Sequence, residues 1–247
     1  MCSIASKIPD DQLSRVATVL IGRLGDAIWL VRLTACKAMC SIASKISADQ
    51  LPEVMTALIE RLGDASWYVR QAACEAMCSI ASKISDDQLS AVVTTLIGRL
   101  GDANSAVRQA ACKAMGSIAH IISDDQLSAV VTVLIGQLGD ARWHVRLTAC
   151  KVVYSIASKM SDDQLPTVMT ALTGRLGDAV CNVRQAACEA MRSIASKISA
   201  DQLSTVVTAL IERLGDADWH VREAACKAMC SIASKIPDDQ LSAVVTA

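Results

Sequence analysis

The sequence predicts an all-α fold made of stacked antiparallel helix pairs, and three observations carry that reading. The phrase Leu-Gly-Asp-Ala occurs six times, beginning at Leu24, Leu62, Leu100, Leu138, Leu176 and Leu214, always 38 residues apart. A fixed period of about 20–50 residues marks a repeat array, in which each unit buries its apolar face only against its neighbours. Within each period two apolar stretches at helical spacing flank a short turn. The composition is apolar yet nearly free of rings, with 52% hydrophobic residues, 2% aromatic residues and no Phe. A core drawn from Ala, Val, Ile, Leu and small Cys suits closely packed helices.

The period divides the chain into residues 1–9, read as the end of a second helix, six repeats at 10–47, 48–85, 86–123, 124–161, 162–199 and 200–237, and 238–247, read as the start of a first helix. Both ends cut through a repeat without the polar cap that such arrays need. The chain is therefore expected to be a piece of a longer array, fraying at Met1–Pro9 and Asp238–Ala247. In the third repeat, Ser85 precedes Asp86-Asp87-Gln88, a Ser-x-x-Gln capping box that starts a helix. Leu89, Val92, Val93, Leu96, Ile97 and Leu100 follow at helical spacing. Gly101 stands where a C-terminal cap belongs, and Asp102 is placed to cap the second helix. In that helix Val107, Ala110, Ala111, Ala114, Met115, Ile118 and Ile122 share a face. Pro52 and Pro166 fall in a first turn, which needs no backbone donor.

The net charge of −1 gives no global basic field for nucleic acid. Charged residues interrupt every apolar stretch before the roughly 18 residues of a membrane span, and no signal-peptide pattern opens the chain. Six of the 11 Cys form one column, Cys36, Cys74, Cys112, Cys150, Cys188 and Cys226. Cys2, Cys40, Cys78 and Cys230 form another, and Cys181 stands alone. Columns with an odd total read as helix packing rather than a disulfide framework. The expected compartment is a reducing one, the cytoplasm.

Each second helix opens with an Asp followed six residues later by an Arg that comes after Val. The pairs are Asp26 and Arg32, Asp64 and Arg70, Asp102 and Arg108, Asp140 and Arg146, Asp178 and Arg184, and Asp216 and Arg222. This pattern, in register over the whole chain, resembles the HEAT repeat family. The resemblance implies a right-handed α-solenoid and an Asp–Arg ladder between neighbouring repeats. Arg108 is then expected to sit between repeats, partly buried, and to meet Asp102 or Asp140. Two features depart from the family pattern: the first helices lack its usual Pro, and the period is short, overlapping the repeats of bilin-lyase-like proteins.

Comparing the repeats with one another separates what must pack from what need not. On a wheel centred on Val107 the apolar positions lie within about 80°, whereas positions 105, 109, 113, 116 and 120 lie at roughly 160–240°. Four of these five columns vary most. The first holds Trp29, Trp67, Ser105, Trp143, Cys181 and Trp219; the second Leu33, Gln71, Gln109, Leu147, Gln185 and Glu223; the third Lys37, Glu75, Lys113, Lys151, Glu189 and Lys227; the fourth Cys40, Cys78, Gly116, Tyr154, Arg192 and Cys230. The resemblance implies that this stripe lines a concave recognition face. Four Trp on it are candidate binding anchors, with packing along the neighbouring helix as the alternative. The alternating Lys and Glu are also what a solvated face looks like.

Repeats two and five share Leu-Pro-x-Val-Met-Thr, and repeats one and four share Arg-Leu-Thr-Ala-Cys-Lys, so a block of three repeats, 114 residues, recurs. Such copying fits a binding surface better than an enzyme pocket, which needs unique residues at one place. A zinc site needs four converging ligands; Cys36 and Cys40 supply two, and Cys74 and Cys78 lie on a helix about 10 Å away. None of His120, His144 and His220 is followed by Glu, as in the HEAT-like iron hydroxylases. No phosphate loop, nucleophile elbow or kinase set is present. The expected protein is noncatalytic, without cofactor or metal, and binds a protein or peptide segment rather than membrane, nucleic acid or a small molecule. Two other classes remain open: a bilin-lyase-like enzyme or chaperone, which would need a pocket with a converging acid or thiol, and a nucleic-acid binder like the HEAT-like DNA glycosylases, whose basic stripe Glu75, Glu189 and Glu223 would break up.

Overall fold

The computed structural model describes residues 9–236; the expected fraying of the two ends lies outside these, Pro9 excepted. Every regular element among the described residues is helical, in the order α1 (Asp10–Leu24), α2 (Trp29–Ile42), α3 (Leu51–Leu62), α4 (Trp67–Ile80), α5 (Asp86–Leu100), α6 (Ser105–Ile118), α7 (Asp124–Leu138), α8 (Trp143–Ile156), α9 (Leu165–Leu176), α10 (Cys181–Ile194), α11 (Ala200–Leu214) and α12 (Trp219–Ile232). Odd-numbered helices are the first of each pair and even-numbered helices the second. The chain forms two compact units, Met1–Ile122 and Ser123–Ala247.

Local chemistry sets the helix ends, and several differ from expectation. In repeats two and five the first helix starts late, at Leu51 and Leu165. Pro52 and Pro166 cannot donate to the carbonyl four residues back, so in repeat two the entry tightens to a 3₁₀ turn at Ala48–Gln50. The capping box expected at Ser85 does not form, as its side chain makes no cap hydrogen bond. The box closes one repeat later, where Ser123 Oγ accepts from Gln126 N and Gln126 Oε1 accepts from Ser123 N. Gly101 ends α5 with φ −94°, and no glycine has positive φ among the described residues. The tight corner is made instead by the next residue. Asp102 Oδ1 accepts the Asn104 N–H at 2.9 Å, a side-chain-closed turn. The same turn recurs at Asp26, Asp64, Asp140, Asp178 and Asp216. Asp102 is thus a turn former, and Asn104 is the N-cap, accepting from Ala106 N. The second helices also stop sooner than their apolar pattern suggests. Ile122 is buried but lies beyond α6, and in the other repeats an Ala-Ser-Lys 3₁₀ turn follows.

The core of each unit is graded. First helices bury bulky residues, such as Leu51, Val54, Met55, Leu58 and Leu62 of α3. Second helices bury small ones, such as Ala72, Ala73, Cys74 and Ala76 of α4. Interaxial distance follows the side chains at the contact, so second helices approach their neighbours closely. Within each unit they contact one another more extensively than the first helices do.

Repeats are tied together by a guanidinium fork. Arg70 Nε and Nη2 donate to the two carboxylate oxygens of Asp102 in the next repeat at 2.8 and 3.0 Å. Its Nη1 donates to the Asp64 and Ala65 carbonyls of its own repeat at 2.7 and 3.0 Å. Arg32 meets Asp64, Arg146 meets Asp178 and Arg184 meets Asp216 in the same way, with 2.6–2.9 Å contacts. Arg108 is buried and reaches Asp102 through its main-chain carbonyl, at 2.6 Å; the Asp102 carboxylate belongs to Arg70. A second tie lies at the other end of the second helices. Lys83 Nζ donates to the Ser44 and Ile46 carbonyls, Lys197 Nζ to those of Ser158 and Met160, and Lys235 Nζ to those of Ser196 and Ile198.

Two stability outcomes follow. Arg70→Ala leaves the nearly buried Asp102 without its fork and should lower stability by about 3 kcal/mol, at the low end for a broken buried pair because Arg99 remains nearby. Arg142→Ala, which breaks an exposed pair with Asp140, should cost far less, because solvent screens such a pair. Urea unfolding of both variants makes the comparison, and equal losses would show that the fork is solvated. Gly101→Ala should raise stability by about 0.4–1 kcal/mol, because its φ suits alanine and an added Cβ meets only the Gly98 carbonyl at 4.0 Å. A loss in the same assay would mean that the turn needs glycine.

Candidate recognition face

Four of the ladder aspartates, Asp64, Asp102, Asp178 and Asp216, lie between two arginines. Besides the fork, Asp102 pairs with Arg99 at 3.3 Å, and Asp64, Asp178 and Asp216 pair likewise with Arg61, Arg175 and Arg213. Burial pushes the Asp64, Asp102 and Asp178 carboxyls up, but the hydrogen bonds from Arg32, Arg70 and Arg146 and from the turn amides outweigh it and hold all three below the ordinary aspartate value. For Asp216 the Arg184 hydrogen bond is the largest influence, in the same direction. The fork residues are consumed by structure, and what remains for function is what the second helices leave exposed.

The Trp column opens the second helices. Trp29 (43% exposed), Trp143 (44%) and Trp219 (58%) lie on the surface, and Trp67 is half-buried. In the first unit Tyr68 joins two of them, its ring 5.5 Å from Trp29 and 3.6 Å from Trp67, both stacked. Trp219 stacks on His220, and Trp143 meets His144 edge-on. No ring contact joins Trp143 to Trp219 among the described residues; Cys181 holds the intervening place. The sequence reading missed Tyr68, which varies with its column (Leu30, Tyr68, Ala106, His144, Asn182, His220) and so carried the same signal as the Trp.

The second column splits by chemistry. Leu33, placed on the exposed stripe by the wheel, is buried, and Leu147 is half-buried. Gln71 Nε2 instead donates to Glu75 Oε1 at 2.8 Å, and Gln185 Nε2 to Glu189 Oε1 at 3.0 Å. Lys37, Glu75, Lys113, Lys151 and Lys227 are exposed and Glu189 half-buried. Lys227 pairs with Glu223 at 2.7 Å on its own helix. Tyr154 is exposed, with the Arg192 guanidinium carbon 6.0 Å from its ring centre.

Between α4 and α6 these side chains line a shallow groove formed by Gln71, Glu75, Cys78, Ala106, Gln109 and Lys113. Between α10 and α12 the residues 114 positions later, Gln185, Glu189, Arg192, His220, Glu223 and Lys227, line its counterpart.

The thiols behind this face are inert. Burial pushes Cys36, Cys74, Cys150 and Cys188 up to about 12, so they stay protonated and are not nucleophiles. The second Cys column is less buried than the first and bridges helices: Cys78 Sγ lies 2.9 Å from Ser117 Oγ of the next repeat. Among the described residues no group of three or more His, Cys, Asp or Glu is placed to hold a metal ion, and no helix is long and apolar enough to cross a membrane.

The sequence pattern of the HEAT repeats matches residues 55–131, within the stretch where the fork and paired helices have just been described. The chain belongs to the HEAT repeat family. The pattern of the sister chromatid cohesion protein PDS5 matches residues 119–246 of this HEAT array. Among solved structures, the archaeal HEAT-like repeats protein from Thermococcus onnurineus NA1 is similar with a TM-score of 0.69 and 13% identity, covering 94% of this chain and 92% of that one. An engineered protein reaches a TM-score of 0.61 at 25% identity over 88% of this chain and 98% of its own. A designed armadillo repeat protein in complex with the peptide (KR)4 reaches 0.58 at 24% identity, over 86% and 98%. No curated protein matches.

Because the four ladder carboxyls titrate below their unfolded value, their contribution to stability is complete above about pH 4, the ordinary aspartate value, and is lost as pH falls through the lowered folded values. Urea midpoints should be flat from neutral pH to about pH 5 and fall below pH 4. In Arg70→Ala the fall should be shallower, because Asp102 then titrates nearer its unfolded value. An unchanged slope would remove Asp102 from the account.

Proposed function

We propose that this HEAT repeat protein is a noncatalytic scaffold that binds a protein segment along the second-helix face, on the concave side of each unit. The observation that carries the proposal is the segregation of the columns. Residues common to the repeats are largely occupied by core and fork, whereas the varying ones, Trp, Tyr, Lys, Glu, Gln and Arg, gather exposed or half-buried on one face of the second helices. The grading of small residues on second helices and bulky ones on first helices supports curvature toward that face. Trp and Tyr offer large contact area at low rotamer cost. Designed armadillo repeat proteins, one in complex with the peptide (KR)4 and another made for modular peptide recognition, support peptide capture by this class of fold. Protonated, buried thiols weigh against a lyase using them, and the free Cys side chains suit a reducing interior.

The test is Trp143→Ala, with melting and capture of protein partners from the source cell measured on the same preparation. Capture should weaken by about 2 kcal/mol or more, with a smaller effect on melting because a surface ring leaves no cavity. If melting collapses while capture per folded molecule is unchanged, the Trp column is packing and the binding face lies elsewhere. Retention of nucleic acid or bilin in place of protein would point to the other two classes.

A further inference from the structure

The charged column of the second helices has the same order in both units. Lys37, Glu75 and Lys113 follow one another on α2, α4 and α6, and Lys151, Glu189 and Lys227 on α8, α10 and α12. Equivalent positions on stacked helices are separated by the interaxial distance, about 8–10 Å. The charges do not satisfy one another across that gap. Lys37, Lys113 and Lys151 join no ion pair among the described residues, and Lys227 turns to Glu223 of its own helix. Each central carboxylate is held in place by the Gln one turn earlier. Other charged or titratable groups on this face include Tyr154, Cys181, Arg192, His220, Glu223 and Cys230 in the second unit and Cys40, Tyr68 and Cys78 in the first.

A partner that reads this column must present opposite charges with the same spacing on one side of its backbone. An α-helix rises about 5.4 Å per turn, too short for successive turns to meet successive helices. A β-strand shows one face every second residue, about 6.6 Å apart. Polyproline II has three residues per turn and a rise of about 3.1 Å per residue, so positions i, i+3 and i+6 share a face about 9 Å apart. That spacing alone falls within the interaxial range.

We propose that each unit binds a polyproline-type segment carrying acidic, basic and acidic side chains at i, i+3 and i+6, which meet Lys37, Glu75 and Lys113 in the first unit and Lys151, Glu189 and Lys227 in the second. The proposal rests on the scaffold reading above and specifies its partner. The chain then has two corresponding sites, a consequence of the repeated 114-residue block. The second is the weaker, because Glu223 competes for Lys227 and the ligand must displace it.

The probes are fluorescein-labelled Glu-Pro-Pro-Lys-Pro-Pro-Glu and its inverse, Lys-Pro-Pro-Glu-Pro-Pro-Lys, titrated with the full chain by anisotropy at low and raised salt. The first peptide should bind at two sites per chain, at least about tenfold more tightly than its inverse, as expected for three exposed ion pairs replaced by like-charge contacts. The preference should shrink with salt. Glu75→Lys should remove the tighter of the two sites. Glu75→Lys with Glu189→Lys should abolish binding of the first peptide and transfer it to Glu-Pro-Pro-Glu-Pro-Pro-Glu. Unchanged far-UV circular dichroism and melting establish that these surface variants stay folded. Equal binding of the two peptides, a preference that survives the double substitution, or no binding of either peptide would each overturn the proposal. The scaffold reading stands or falls separately, on Trp143→Ala and partner capture.

Discussion

The interaction on which the rest of this structure depends is the buried guanidinium fork between repeats. A 38-residue helix pair has too little apolar surface to stand alone and must stack. Hydrophobic stacking is non-directional and does not by itself fix how far one pair slides or rotates over the next. The fork does. Each bridging Arg donates two parallel hydrogen bonds to the next repeat's carboxylate and two more to the turn of its own repeat. That geometry suits the rigid planar guanidinium and not a lysine. The carboxylate also closes the turn that launches its own second helix. One side chain therefore couples the local turn to the stacking register, and the Asp-Ala-x-x-x-Val-Arg spacing follows from it.

Fixing the register at one end of the second helices has a consequence for the rest of their length. The lysines of the 3₁₀ turns hold the opposite end through the preceding repeat's carbonyls, and Ala, Cys and Met fill the space between. With both ends and the core occupied by residues common to the repeats, the outward face is free to vary. Substitution there leaves no cavity and breaks no tie. The Lys-Glu-Lys charges on it keep a three-repeat rhythm, whereas the aromatic residues do not: Trp67 and Tyr68 of the first unit give way to Cys181 and Asn182 in the second.

Much of this was legible in the sequence because stacking imposes the same demand 38 residues apart. The helix pairs, the fork residues and the Cys column, buried at Cys36, Cys74, Cys150 and Cys188 but exposed at Cys226, can be read from what every repeat keeps. Other features depend on which of two allowed partners a group chooses. Ser85 and Ser123 stand in the same Ser-x-x-Gln setting, yet only Ser123 closes the capping box. Asp102 could have capped α6 but closes a turn two residues earlier. Gly101 suggested a left-handed cap, but the carboxylate turn makes that conformation unnecessary. Leu33 falls on the exposed arc of the wheel and still buries itself, because an apolar side chain on an edge turns toward its neighbour where Gln71 turns outward to Glu75. The second arginines, Arg61, Arg99, Arg175 and Arg213, stand three residues before the aspartate in the sequence, but only the folded turn brings the two groups together.

The most direct test of the fork as the organising interaction is a double-mutant cycle at Arg184 and Asp216, with Arg184→Ala, Asp216→Ala and the double variant unfolded in urea. The fork predicts a coupling energy of about 1–3 kcal/mol. A coupling below about 0.5 kcal/mol, with additive losses, would show that the two side chains act independently and that packing alone sets the register of the repeats.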